Sequence, residues 1–183
     1  GLSGTLFLVH LAHAAIHSTW VLYTGYRFGW SVGQIGISLA IVGSMAALVQ
    51  GVLVRRIVPA LGERRAIYVG LAISTATLAA YGLATEGWMI YVILVFGSLG
   101  GINGPAVQSL ITRQVDPDEQ GSVQGTLASL ASLAGIAGPP MASHVFGYFI
   151  SPRAPWHLPG AAFFLGALFM QAGLSLATRA RLT

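Results

Sequence analysis

Histidine is the side chain of this sequence best suited to proton chemistry, and three of the five histidines lie close together. His10, His13 and His17 are spaced by three and four residues, so a helix would place them on one face. Imidazole titrates near neutral pH, and such a face can line an aqueous cavity and move protons. These rings and His144 can instead bond to neighbouring helices, and both roles stay open.

Amide side chains are the next candidates for contact with a bound molecule. Gln50, Asn103 and Gln108 lie within long apolar stretches. They can contact a ligand or hold helices together, as polar groups in membrane helices commonly do. No carboxylate or cysteine accompanies the histidines in these stretches, so we expect no metal site, and nothing in the sequence indicates a cofactor.

Catalysis is not expected from these side chains. An intramembrane protease uses a serine nucleophile or a pair of aspartates, and the apolar stretches contain no Asp. We expect no nucleophile turn of the Gly-x-Ser-x-Gly type either. The sequence therefore predicts a protein that is not an enzyme.

The elements that would hold the candidate residues are long and apolar. Charged residues make up 8% of the 183 residues, against about a quarter in soluble domains. A helix needs about 20 apolar residues to cross a bilayer. We predict an all-α membrane protein in which residues 1–183 form one six-helix transmembrane bundle, since six windows qualify: 2–23, 32–54, 66–84, 88–111, 123–150 and 160–178.

The distribution of arginine predicts an orientation. Seven arginines lie on one side of the predicted bundle, and only Arg27 and Arg153 lie on the other. By the positive-inside rule the arginine-rich side, and with it both ends of the chain, is cytoplasmic. Because the arginines do not form one stripe, no nucleic-acid partner is expected. The seven are Arg55, Arg56, Arg64, Arg65, Arg113, Arg179 and Arg181, and the opposite interface would hold Trp30, Trp88 and Trp156.

Small residues and prolines indicate where helices pack and bend. Pro105 and the run Gly138-Pro139-Pro140 lie inside predicted helices, where proline removes a backbone hydrogen bond. We expect bends there, either passive kinks or moving parts of a gate. Small residues that would let helices approach closely are Gly97, Gly100, Gly101 and Gly104 in the fourth helix and Gly121, Gly125, Ser129, Ser132, Gly135 and Gly138 in the fifth.

The first residues do not have the pattern that we expect of a targeting signal. Gly1 is followed at once by an apolar run without a basic start or a cleavage site, so we expect no signal peptide. We also expect further sequence upstream.

Several strings occur in an order that resembles a known family. They are Trp20 to Trp30, Arg56 to Arg64, Glu86 to Trp88, Gly104 to Gln108, and Gln120 to Gly125 followed by Gly138-Pro139. Together they resemble the C-terminal half of the tetracycline efflux pumps, which are major facilitator transporters.

The resemblance implies a fold and partners. Major facilitator proteins have twelve helices in two six-helix bundles. This chain would supply helices seven to twelve in a bacterial inner membrane, and a six-helix N-terminal half would be its partner. The implied function is proton-coupled efflux of a drug-like small molecule, and tetracycline-like molecules are among the possible substrates. The remaining partners would be the bilayer, the substrate and protons.

The chain departs from the family at several positions. The stretch 55–65 resembles the family's cytoplasmic Gly-x-x-x-Asp-Arg-x-Gly-Arg-Arg loop, with Pro59 in place of the Asp. Ala46 and Ser74 stand where these pumps typically carry an intramembrane His and Asp, whereas Gln50 matches a polar position of the family. The loop residues that we single out are Arg56, Gly62, Arg64 and Arg65.

The sequence thus assigns roles that the structure can place. The cavity would be lined by His13, His17, Gln50, Asn103 and Gln108, and gating or helix packing would involve Pro105, Gly125, Gly138 and Pro139. Two alternatives are a facilitative or uptake carrier of the same fold and a non-transport six-helix membrane assembly protein.

Overall fold

The fold is entirely helical in the part of the chain that the structure describes. The computed structural model describes residues 2–113 and 115–179, and this part contains no β-strand. The prediction of an all-α membrane protein is therefore confirmed. Arg181, which was counted on the basic side above, lies outside the described residues.

Six long helical segments follow one another in the described part of the chain, and two of them contain a non-α turn. The second includes a π-helical turn, Val49–Leu53, and the fourth a 3-10 turn, Ser98–Ile102. A short 3-10 turn, Pro117–Glu119, precedes the fifth. We name the segments α1 (Leu2–Phe28), α2 (Val32–Leu61), α3 (Glu63–Leu83), α4 (Gly87–Arg113), α5 (Gln120–Ile150) and α6 (Ala161–Arg179).

The joint between α2 and α3 is much shorter than the sequence suggested. The stretch 55–65 reads as a polar break, but α2 continues to Leu61 and α3 begins at Glu63, so Gly62 alone separates them. Gly62 has φ 80° and ψ 148°, a backbone conformation that is essentially restricted to glycine. Arginine is a good helix former, and its long side chain can reach the polar interface from a helix end.

Not all six helices are equally apolar. Five are long and apolar enough to cross a membrane, namely α1, α2, α3, α4 and α6. Helix α5 has 31 residues and is long enough, but it is rich in glycine and serine and is not among the five. Its composition indicates that it is less suited to full contact with lipid than its neighbours.

The helices pack as a layered bundle around α1 and α3. Helix α1 packs against α5 and α6, and α3 packs against α6 and α4. Helix α2 contacts α4, and the π-helical turn of α2 lies against the 3-10 turn of α4. The apolar window of α2 is only 11% buried, so most of this helix faces away from the described bundle.

Glycines of α4 allow it to approach α3 closely. A Cβ added at Gly97 would collide with the Thr77 side chain, and one added at Gly100 would collide with Ser74. Gly138 of α5 likewise faces Ala14 of α1. The other glycines of the predicted α5 seam behave differently, since an added Cβ at Gly121, Gly125 or Gly135 would meet no described atom within 4 Å.

An aromatic cluster fixes the end of the bundle opposite the arginine-rich end. The ring centroids of Tyr23 and Phe163 are 4.5 Å apart, and those of Trp20 and Tyr81 are 5.3 Å apart. The Trp20 indole N–H donates to the Ser38 hydroxyl at 3.0 Å, and the Tyr23 hydroxyl donates to the Tyr81 carbonyl. These contacts join α1, α2, α3 and α6 and satisfy the polar atoms that they bury.

Candidate functional site

A central cavity of about 520 Å³ lies between α1, α2, α3 and α4. This volume falls within the usual range of small-molecule sites. Its wall is mostly apolar, with imidazole, amide, hydroxyl and aromatic side chains at particular points. The polar and aromatic side chains in its lining are His10, His13, His17, Trp20, Gln50, Ser74, Thr77, Tyr81, Ser98 and Asn103.

The three histidines of α1 form one wall of this cavity. His10, His13 and His17 all line the cavity and are exposed in this chain, whereas Val9 and Ala12 of the same helix are buried. The His10 Nδ1 lies 2.8 Å from the Leu6 carbonyl oxygen, to which it donates. This bond orients one imidazole along its own helix.

The fourth histidine of the apolar stretches does not join this wall. His144 is exposed on α5 and is not part of the cavity lining.

Gln50 reaches the cavity from the π-helical turn of α2. Its neighbour Val49 is 1% exposed and packs in the core, whereas Gln50 is exposed and lines the cavity together with Ala46. Single π-helical turns insert an extra residue into a helix and are frequent at functional sites. Val49 also borders the cavity, so the turn places a buried residue and an exposed residue side by side in its wall.

Asn103 lies at the cavity wall and is hydrogen-bonded to a neighbouring helix. It is 2% exposed, and its Nδ2 donates to the Ser74 hydroxyl of α3 at 3.1 Å. Ser74 and Asn103 are both lining residues, so this hydrogen bond closes the cavity between α3 and α4. Asn103 thus combines the two roles that the sequence left open, since it joins helices and also contributes to the cavity surface.

Gln108 lies away from the cavity. Its Nε2 donates to the Oε1 of Gln124 on α5 at 2.7 Å, and it is not among the lining residues. The structure therefore gives Gln108 a contact between α4 and α5 rather than the cavity position that the sequence suggested.

The predicted gating and packing residues fall in four different environments. Pro105 lines the cavity just after the 3-10 turn of α4, and it has no N–H to donate to the helical ladder. Pro139 is half-buried inside α5, which remains one α-helix through it. Gly138 packs on α1, and Gly125 lies on the exposed face of α5.

Two aromatic residues of the site were not identified from the sequence. Trp20 and Tyr81 line the end of the cavity, where their rings meet edge to face. Both are aromatic side chains inside apolar windows, and nothing in the periodicity separates them from ordinary core residues. Their position gives the cavity an aromatic end suited to planar apolar groups.

A second recess, of about 450 Å³, lies at the arginine-rich end between α2, α3 and α4. Glu63 borders it and accepts a hydrogen bond from the Ser109 hydroxyl at 2.6 Å. The Arg113 Nε lies 3.3 Å from the same carboxylate. The loop residue Gly62 also borders this recess. The predicted loop arginines Arg56, Arg64 and Arg65 are exposed.

One sequence expectation needs correction. Residues 29–33 read Gly-Trp-Ser-Val-Gly and so match the Gly-x-Ser-x-Gly pattern, which we did not expect to find. The Ser31 hydroxyl accepts from the Gln34 N–H and forms a capping box at the start of α2. Ser31 therefore has a structural role as a helix cap.

Comparison with known proteins decides the class of the molecule. Residues 2–180 match the Major Facilitator Superfamily, and thus nearly the whole chain is covered. The chain belongs to the major facilitator superfamily. It is accordingly an integral membrane protein of a transporter family, and the family resemblance drawn from its sequence strings is confirmed.

Within the superfamily, the chain is similar to several tetracycline resistance proteins. It is 35% identical to the class C protein of Escherichia coli over 88% of this chain and 39% of that relative. It is 36% identical to the class G protein of Vibrio anguillarum over 75% of this chain and 35% of the relative.

A mammalian protein is also similar to this major facilitator chain. Hippocampus abundant transcript-like protein 1 of Rattus norvegicus is 30% identical over 79% of this chain and 29% of the relative. The chain therefore spans well under half the length of the relatives that it matches.

Proposed function

We propose that this chain is part of a proton-coupled efflux transporter for drug-like small molecules and supplies one wall of its substrate cavity. The observation that carries the proposal is the central cavity itself. It combines a row of imidazoles, an amide and an aromatic end in a chain of a transporter family. Its similarity to tetracycline resistance proteins makes a tetracycline-like substrate the first to test.

The cavity lining fits a large, mostly apolar cargo with several hydrogen-bonding groups. Apolar and aromatic surface supplies most of the contact area, and a few polar groups fix orientation. His13 and His17 can donate or accept, according to protonation, and Gln50 offers both a donor and an acceptor. Trp20 and Tyr81, which are 5% and 6% exposed, would contact a ring system at the end of the cavity through the small surface that they leave free.

Proton coupling would require groups that change charge as the cavity changes exposure. His10, His13 and His17 are the titratable side chains of α1 that line the cavity, and no Asp or Glu of the described residues does so. Any coupling carboxylate would then come from outside this chain. We propose that it belongs to an N-terminal six-helix half, with this chain forming helices seven to twelve.

The proposed topology is a six-helix bundle in a bacterial inner membrane, with both ends of the chain on the cytoplasmic side. Support comes from the arginines at the helix ends, with Arg55, Arg56, Arg64 and Arg65 around one joint and Arg113 at the end of α4. Excess positive charge marks cytoplasmic connections in membrane proteins. Trp88 and Trp156 are 62% and 73% exposed and suit the opposite interface, whereas Trp30 is 8% exposed and packs on Tyr91.

Transport into everted membrane vesicles tests this proposal. The full-length protein would be expressed in cells that lack their own tetracycline export, and respiration would acidify the vesicle lumen. We expect labelled tetracycline to accumulate in the lumen and to leave when a protonophore collapses the gradient. Vesicles without the protein are the control.

Two results would reject the proposal in distinguishable ways. Equilibration of tetracycline that ignores the protonophore would indicate a facilitative carrier of the same fold. Absence of any transport of tetracycline or of a panel of planar drugs would contradict drug efflux as such.

A further inference from the structure

Four arginines surround the joint between α2 and α3 without partners of opposite charge. Arg55 and Arg56 lie in the last two turns of α2, and Arg64 and Arg65 lie in the first turn of α3. All four side chains are exposed, and among the described residues none of them forms an ion pair. We refer to these four residues as the Gly62 arginine cluster.

Acidic side chains near this cluster do not neutralise it. Glu63 lies between the two pairs of arginines in sequence. Its side chain is 17% exposed, and its carboxylate accepts a hydrogen bond from Ser109 and pairs with Arg113. The acidic residues of the link between α4 and α5, Asp116, Asp118 and Glu119, form no ion pair with the cluster in the described part of the chain. The cluster thus presents four uncompensated positive charges.

The cluster lies beside apolar surface. Val52, one turn before Arg55 and Arg56, is 47% exposed, and Leu61 beside Gly62 is 37% exposed. Val54, Ile57 and Val58 instead pack against the core, and Val54 and Val58 border the second recess. A helix end that exposes both arginines and apolar side chains suits the boundary between headgroups and acyl chains.

These features together match one chemical class of ligand. A compact anion joined to an apolar tail would pair with the guanidinium groups and place its tail along the exposed apolar side chains of α2. Guanidinium binds phosphate oxygens through two parallel hydrogen bonds, and juxtamembrane clusters of Lys and Arg attract anionic lipids. We propose that the Gly62 arginine cluster and the adjoining recess bind the phosphate headgroup of an anionic phospholipid.

The position of the cluster along the membrane normal agrees with such a ligand. Arg55 is seven residues before Gly62, which corresponds to about 10 Å along a helix. Each polar headgroup layer of a bilayer is about 5–8 Å thick. All four guanidinium groups, on flexible side chains, can therefore reach one headgroup layer.

Lipid retention by the full-length protein tests the proposal. The protein would be purified in a neutral detergent and titrated with phosphatidylglycerol or phosphatidylcholine, and bound lipid would be counted by native mass spectrometry. We expect phosphatidylglycerol to bind and phosphatidylcholine to bind at least about tenfold more weakly. The double variant Arg55→Gln/Arg64→Gln should weaken phosphatidylglycerol binding by about tenfold or more, at about fivefold per charge.

The matched control is Arg27→Gln/Arg153→Gln, which removes two charges from the other end of the bundle and should leave binding unchanged. Binding to the unmodified protein should also fall as salt rises, a measurement that does not depend on a variant folding. Equal binding of the two lipids, retention by Arg55→Gln/Arg64→Gln, or no effect of salt would overturn the proposal. Displacement of the lipid by millimolar inorganic phosphate would overturn it in favour of a free phosphate site.

Discussion

Individual glycines determine how closely α3 and α4 approach, and hence the shape of the cavity wall between them. The Cβ of an alanine at Gly100 would lie 3.0 Å from the Ser74 backbone nitrogen and would collide with the Ser74 hydroxyl. Ser74 in turn accepts the Asn103 amide. A change at Gly100 therefore acts on the hydrogen bond that closes the cavity.

Gly100→Ala should destabilise the protein by about 1–3 kcal/mol, because the added Cβ would overlap the Ser74 hydroxyl and would also lie within 3.0 Å of the Ser74 nitrogen and 3.2 Å of the Gly70 carbonyl oxygen. Thermal unfolding of the detergent-solubilised full-length protein would measure this loss. Gly135→Ala is the matched control, since an added Cβ there meets no described atom within 4 Å. Equal unfolding temperatures for the two variants would contradict the close approach.

At the residue scale, spacing alone decides which face of a helix a side chain occupies. The intervals between His10, His13 and His17 place them on one helix face, and that face lines the cavity. Gln108 could not be placed in this way, because its direction depends on Gln124 of another helix. Trp20 and Tyr81 were missed because an aromatic residue of the core and one of a cavity wall have the same local pattern.

At the scale of elements, some features of the helices follow from the sequence and others do not. Hydropathy identifies the long segments because crossing a bilayer demands a minimum apolar length. The π-helical turn Val49–Leu53 has no evident signal in the sequence, although it contains the cavity-lining residue Gln50. Residues 55–65 were expected to form a loop, but only Gly62 lies outside the helices, because charged arginines are compatible with a helix end.

The joint between α2 and α3 depends on the conformation of Gly62. Gly62→Ala should cost about 1–3 kcal/mol, since a side chain disfavours its φ of 80° and ψ of 148° although no described atom lies within 4 Å of the added Cβ. Thermal unfolding measures the loss, with Gly43→Ala in the interior of α2 as the control. A loss no greater than that of the control would show that the joint tolerates other backbone geometries.

At the scale of the whole molecule, the distribution of charge predicts which end faces the cytoplasm. The chain contains no cysteine, so single cysteines can be introduced at exposed positions of a full-length protein whose other cysteines have been replaced. Thr85 lies at the end of the bundle with Trp88, and Glu119 lies at the arginine-rich end. Each variant reports the side of the membrane on which its end lies.

Thr85→Cys should react with a membrane-impermeant maleimide in intact cells, whereas Glu119→Cys should react only after permeabilisation. The reason is that arginine-rich connections of membrane proteins are generally retained in the cytoplasm. The reverse pattern of labelling would contradict the proposed orientation.

The central claim is that the cavity between α1, α2, α3 and α4 binds the transported molecule. Gln50 lines this cavity, and Gln171 is an exposed glutamine on α6 outside it. The two positions therefore allow the same substitution to be compared inside and outside the site.

The most direct test measures the half-saturating substrate concentration of proton-driven drug uptake into everted vesicles for Gln50→Ala and Gln171→Ala. Loss of one hydrogen bond to the substrate is worth about 0.5–1.5 kcal/mol, so Gln50→Ala should raise this concentration about two- to tenfold. Gln171→Ala should leave it unchanged. Equal values for both variants and the unmodified protein would contradict the assignment of the cavity as the substrate site.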